Sequence, residues 1–221
     1  MYKLVGQNYS KFQEKSEKLQ NKAHRIRRTR AMAREEIIDA TETALSEMDF
    51  GALTVDIVMR RTGMTRSSFY HYFSGLDELA LGFLDRLEQA IRQPVDKWLS
   101  GEGSTDYLGD THTHLTAMFV AMEEHRTGML ALTKASNNSN QVYEEWRARV
   151  IDYFIILTAR FIRQQVMLGR SLLTDPDRTA RALILMNNAL SNDNLMRAEP
   201  DDAAAIGRTS AEIWNATIYR Q

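Results

Sequence analysis

Apolar residues recur three and four positions apart along almost the whole chain, and only 3 Pro and 11 Gly punctuate its 221 residues. That spacing lines apolar side chains along one face of an α-helix, whereas the alternation in twos that marks a strand is scarce. The chain is therefore expected to be all-α. From Ala31 to about Met48, Ile37, Ile38, Thr41, Ala44, Leu45 and Met48 share one face, and Asp49-Phe50-Gly51 ends the helix. A two-turn helix follows, capped by Thr54, carrying Val55, Val58 and Met59, and stopping at Thr62-Gly63. Thr65 has N-cap chemistry for a helix over Arg66 to Phe73. Ser74 with Asp77 three residues on resembles an acidic capping box for a helix through Leu76, Leu79, Ala80, Phe83, Leu84, Leu87 and Ile91 up to Pro94. After the linker candidate Ser100 to Asp106, five more helices are predicted near 107–124, 127–136, 139–168, 176–195 and 202–219. The third, at about 45 Å, is long enough to be the spine of a bundle.

A hydrophobic content of 43% is compatible with one sizeable core or two smaller ones. No apolar run approaches the roughly 20 residues of a membrane span, and the opening residues lack a secretory signal's apolar centre, so a cytoplasmic protein with no membrane partner is expected. With no cysteine there is no disulfide, thiolate metal site or cysteine nucleophile. The net charge of -1 hides a lopsided distribution. Residues 1–34 hold ten Lys or Arg against Glu14 and Glu17, so one basic end sits on an acidic body. Such an end suits a polyanion partner, and equally a solvated tail that binds nothing.

Catalytic and metal chemistry find little footing. His112 and His114 are two apart, on different faces of a helix, and His125 lies eleven further on. The pairs Glu123-Glu124 and Glu144-Glu145 diverge on a helix and read as solvated surface. Phosphate loops, nucleophile elbows and HExxH motifs are missing, so no enzyme, metal or cofactor is expected.

A short helix, a Gly-containing turn and a second short helix opening on a cap have the geometry of a helix-turn-helix, with Gly63 suited to a left-handed turn position. In the second helix, Phe69 and Phe73 are four apart and can be buried together. Small hydroxyls, an Arg, two Tyr and a His are left to face outward, groups that reach phosphates and base edges. The run from Thr54 to Phe73, with its opening threonine, turn glycine, hydroxyl at the recognition-helix start and Tyr-x-x-Phe near its end, resembles the DNA-binding domain of TetR-family transcriptional regulators over about Ala31 to Leu84. The resemblance implies that Thr54 caps and touches phosphate. It places Thr65, Arg66 and Ser67 on the leading edge, Ser68 and His71 facing the major groove, and Tyr70 and Tyr72 on the DNA backbone. Leu76 departs from the family, which usually has a phosphate-binding lysine there. Arg25, Arg27, Arg28 and Arg30 are candidates to replace it from a minor groove.

The expected division is a basic extension over 1–30, a DNA-binding domain over 31–78 and a ligand-binding and dimerisation domain over 79–221. The segments Trp146 to Gly169 and Ala182 to Gln221 are similar to the ethionamide-resistance repressor subgroup. That likeness implies an apolar channel for a small hydrophobic effector and a ligand-bonding asparagine at Asn187. Phe119, Met122, Met129, Trp146, Tyr153, Phe154, Leu157, Phe161, Met167 and Met186 are candidates to line it, or simply fill the core. An amide such as Asn187 or Asn188 in an apolar run needs a partner, whether ligand, dimer mate or solvent. Family likeness also implies a homodimer through the last two helices, with Leu183, Leu190, Ile206, Ile213, Trp214 and Ile218 as apolar surface, and hence a palindromic double-stranded DNA operator. Two other readings stay open: an architectural DNA binder without an effector, and a helical ligand-binding protein whose helix-turn-helix is vestigial.

Overall fold

The computed structural model describes residues 29–219, and the chain divides after Glu36 into two compact units. Among the described residues there are helices and no strands. Helix α1 is Arg30–Leu45, and Thr29 caps its start by accepting the Met32 amide at 3.1 Å. Ile37, Ile38, Thr41 and Ala44 of this helix are buried, Thr41 bonding back to the Ile37 carbonyl at 2.7 Å so that its hydroxyl is not left idle. The helix ends at Leu45, one turn before Met48.

A 3-10 turn at Phe50–Ala52 leads to α2 (Val55–Thr62) and α3 (Arg66–Phe69). Thr54 accepts the Ile57 amide at 3.3 Å and Thr65 the Ser68 amide at 3.3 Å, so both expected caps are in place. Between them Gly63 takes φ 66°, ψ 10°, which any side chain would resist. Buried Thr62 stitches the same turn, donating to the Met59 carbonyl at 2.9 Å and accepting the Met64 amide at 3.1 Å. The recognition helix is shorter than its pattern suggests: after Phe69 the chain tightens into turns, His71 bonding to Ser68 and Tyr72 to Phe69. The tightening keeps Phe73 buried beside Phe69, ring centroids 5.5 Å apart.

Helix α4 (Leu76–Arg92) starts from Gly75, and Glu78, rather than Asp77, reaches back to the Ser74 amide at 2.7 Å. The remaining helices are α5 (Asp96–Leu99), α6 (Tyr107–Glu124), α7 (Arg126–Ser136), α8 (Asn140–Trp146), α9 (Tyr153–Met167), α10 (Pro176–Met196) and α11 (Ala203–Ile218). Helices α8 and α9 form one rod, joined by a π-helical segment at Arg147–Asp152. Helix α11 lies close against α6 because Gly207 has no Cβ: one placed there would sit 2.6 Å from the Thr116 Cα. One apolar core runs from Ile37 to Tyr219.

Candidate DNA-reading edge and ligand slot

The residues expected to read DNA are gathered on one exposed edge. Thr54, Thr65, Arg66, Ser67, Tyr70 and His71 are exposed, while Ser68 and Tyr72 are half-buried. Phe69, fully buried, anchors the edge, and the Tyr70 ring meets it edge-on at 5.4 Å with its own surface 52% exposed. Thr65 Oγ lies 2.9 Å from Ser67 Oγ and 2.8 Å from Ser68 Oγ, a small hydroxyl cluster at the helix start. Arg66 pairs with Asp56 of α2 at 2.9 Å. The Tyr70 hydroxyl first, and Asp56 next, hold its guanidinium proton more firmly than usual. Leu76 is half-buried against the core, so the position that is usually a lysine in the family is here a packing residue. Arg30 is exposed, while Arg25, Arg27 and Arg28 lie outside the described residues.

Away from this edge, α5, α6, α10, α11 and the π segment surround a narrow apolar slot. It is constricted, with a cavity volume of about 30 Å³. Met122, Trp146, Phe154 and Asn187 line it, as do Trp98, Val150, Ile151, Asn188 and Trp214. Phe119 is buried in the core outside that lining, Leu157 packs against the core, and Tyr153 faces Arg92, whose guanidinium sits 3.7 Å above its ring. Trp98 escapes periodicity because α5, between Pro94 and Gly101, is a single turn.

Two residues of the slot wall carry idle donors. Asn187 is 4% exposed and its amide oxygen accepts from Ser210 at 2.7 Å, but its NH₂ has no partner among the described residues. Ser210 can satisfy only one end of the amide. Trp214 Nε1 is likewise buried without a partner. Buried donors left unpaired are rare in folded proteins, and each costs about 1–3 kcal/mol.

The π segment faces two ways. Val150 and Ile151 line the slot, while Arg149 reaches α4, donating to Glu88 at 2.8 Å and to Asp85 at 2.8 Å. Arg92 of α4 pairs with Glu88 at 2.9 Å and points back to the Arg149 carbonyl. Between Asp85 and Glu88 on the same helix, Arg86 holds Asp39 of α1 at 2.6 Å. The Arg149 pairs join residues about 60 positions apart in sequence, and nothing local in the sequence signals them.

Of the apolar residues expected on a dimer surface, Leu183, Trp214 and Ile218 belong to the protomer's own core, Leu190 and Ile206 are partly buried, and Ile213 is exposed. Leu185 and Met196 join Ile213 as exposed apolar residues of the last two helices.

Residues 37–82 match the family described as bacterial regulatory proteins, tetR family, and residues 111–220 match the C-terminal domain of transcriptional regulator EthR. The chain belongs to the TetR family. It is a TetR-family transcriptional regulator with an EthR-like C-terminal half. It is 26% identical over 185 residues to the HTH-type transcriptional regulator EthR of Mycobacterium tuberculosis, covering 83% of this chain and 85% of that one. An HTH-type regulator of Haemophilus influenzae is 28% identical over 134 residues, 58% of this chain and 62% of its own. The TetR-family fold is shared with the SmeT–triclosan complex, at TM-score 0.70 and 21% identity over 85% of this chain and 92% of that one. Native NalD of Pseudomonas aeruginosa likewise aligns at TM-score 0.70, with 19% identity over 87% of this chain and 100% of its own. Among the described residues no helix is long and apolar enough to cross a membrane, and no cluster of His, Asp or Glu has metal-site geometry.

Proposed function

We propose that this TetR-family regulator is a cytoplasmic repressor that dimerises through its last two helices, sits on a palindromic operator and is released by a small, largely apolar effector. In this reading residues 1–30 are a basic extension, 31–78 contact DNA, and 79–221 bind effector and partner. Arg28 and Arg30 join Thr54, Thr65, Arg66, Ser67, Ser68, Tyr70, His71 and Tyr72 as the DNA-contacting set. Phe119, Tyr153 and Leu157 act behind the slot wall formed by Met122, Trp146, Phe154 and Asn187.

One observation carries the reading: α4 begins three residues after Phe73 of the reading edge and ends three residues before Val95 of the slot wall. A ligand that widens the slot displaces Val150 and Ile151, and through Arg149 it displaces α4. At about 30 Å³, the slot is far below the roughly 300 Å³ of small-molecule sites, so the effector must bind a widened state better than the DNA-bound one. A ~100-fold preference would supply about 2.7 kcal/mol of coupling per site. The idle N–H groups of Asn187 and Trp214 define its chemistry: an apolar body bearing a hydrogen-bond acceptor such as a carbonyl. An architectural DNA binder has no use for such donors.

The test is selection of bound sequences from a random DNA pool at about 150 mM salt, repeated with Tyr70→Ala. A palindromic consensus lost in the variant is the expected result. Salt-sensitive binding without sequence preference would overturn the proposal.

A further inference from the structure

Trp98, stacked on His114 and tilted against Phe161, also walls a second chamber of a different character. Its cavity volume of about 410 Å³ is within the range of small-molecule sites. Its walls mix the aromatic faces of Trp98, Tyr107 and Phe161 with Asp110, Gln165 and Arg170. The Arg170 guanidinium lies 5.0 Å from the Tyr107 ring and forms no ion pair among the described residues. Gln165 is 4% exposed, yet its side-chain oxygen accepts no hydrogen bond among the described residues. Asp110, by contrast, is committed, its carboxylate accepting the Ser104 amide at 2.6 Å and the Ser104 hydroxyl at 2.9 Å. The chamber therefore holds one uncommitted cation and one uncommitted buried acceptor between aromatic walls.

We propose that this chamber is a second small-molecule site, for an organic carboxylate that also carries an N–H or O–H donor. The carboxylate lies on Arg170, the donor meets Gln165 Oε1, and the hydrocarbon body packs on Trp98, Tyr107 and Phe161. A cation is disfavoured by Arg170, a doubly charged phosphate by the single arginine beside Asp110, and a purely apolar molecule by the Gln165 oxygen it would leave idle. Tyr219, at the same wall, stays protonated: burial pushes its phenol up to about 12, so it is an additional donor to an anion. The site does not depend on the apolar slot being an effector site.

Calorimetric titration of the full chain with 4-hydroxyphenylacetate, against its uncharged counterpart 4-hydroxyphenylacetamide, tests this. The expected result is saturable binding of the carboxylate at least tenfold tighter than the amide. Arg170→Met, or Arg170→Gln should the first not fold, is expected to abolish that preference, and Asn187→Leu in the slot to leave it intact. Absence of saturable carboxylate binding, equal binding of the two compounds, or a preference that survives the arginine variants would each overturn the site. Loss of binding in Asn187→Leu would place the probe in the slot and overturn it as well.

Discussion

The reading edge and the slot handle polar groups in opposite ways. On the edge, Thr65, Ser67 and Ser68 satisfy one another, and Arg66 rests on Asp56 and the half-exposed Tyr70. Nothing there burdens the fold, and DNA bound there would have only solvent and the exposed Arg66 contacts to displace. In the slot, Asn187 and Trp214 keep buried donors without a partner among the described residues, a penalty that a hydrogen-bond acceptor bound there would remove. Function at the edge should therefore be invisible to a thermal melt, whereas function in the slot should be written into it.

The sharpest test of the edge uses neighbouring residues. Phe69→Ala, which empties a fully buried position, is expected to destabilise by about 3–5 kcal/mol and to abolish DNA binding with it. Tyr70→Ala should leave the denaturation midpoint within error while weakening operator affinity by about 1–3 kcal/mol in gel-shift titrations. Equal stability losses for the two would break the comparison. In the slot, Asn187→Leu combined with Ser210→Ala removes the idle amide together with its single partner. Chemical denaturation should show a gain of about 1–2 kcal/mol, and the variant should no longer release DNA on adding an effector; a net loss of stability would mean that the amide is structural. Arg149→Met should lower stability by only about 1 kcal/mol, since the arginine is partly exposed, yet uncouple effector binding from DNA release.

The smallest effect concerns Asp96, at the slot end of α4. Burial holds its carboxyl above the ordinary 3.8, with the Tyr153 hydroxyl and Arg92 pulling the other way. A raised acid makes its contribution to stability below 3.8 and loses it as pH rises through the folded value. Asp96→Asn should therefore melt like the parent at the acid end and slightly above it at neutral pH. A gap that shrinks toward neutrality would contradict the burial argument.

The long helices were readable because each shows its period over several turns, while the single turn of α5 was too short to show one. The geometry of the exposed edge was readable because it is contiguous: Thr54 and Thr65 cap amides three residues on, and Gly63 acts through its own left-handed backbone. What sequence could not show is what depends on distant neighbours. Trp214 sits on an apolar stripe that either the protomer or a dimer mate could cover, and the protomer covers it. Tyr153 has the composition of a ligand contact but is turned toward Arg92, and the Arg149 lacing joins helices far apart in the chain. Asn187 was legible in part, since an amide inside an apolar run demands a partner. That Ser210 supplies only half of one was not.

The π segment also sets a phase. An α-helix turns about 100° per residue, so the wide turn at Arg147–Asp152 acts as one residue inserted into an otherwise regular rod. Everything after it, Phe154 at the slot and Phe161 against Trp98 included, is aimed by that insertion. Deleting a single residue between 147 and 152 would leave a perfectly acceptable helix whose whole downstream half faces the wrong way. A stretch that tolerates substitution in this region would thus be intolerant of changes in length.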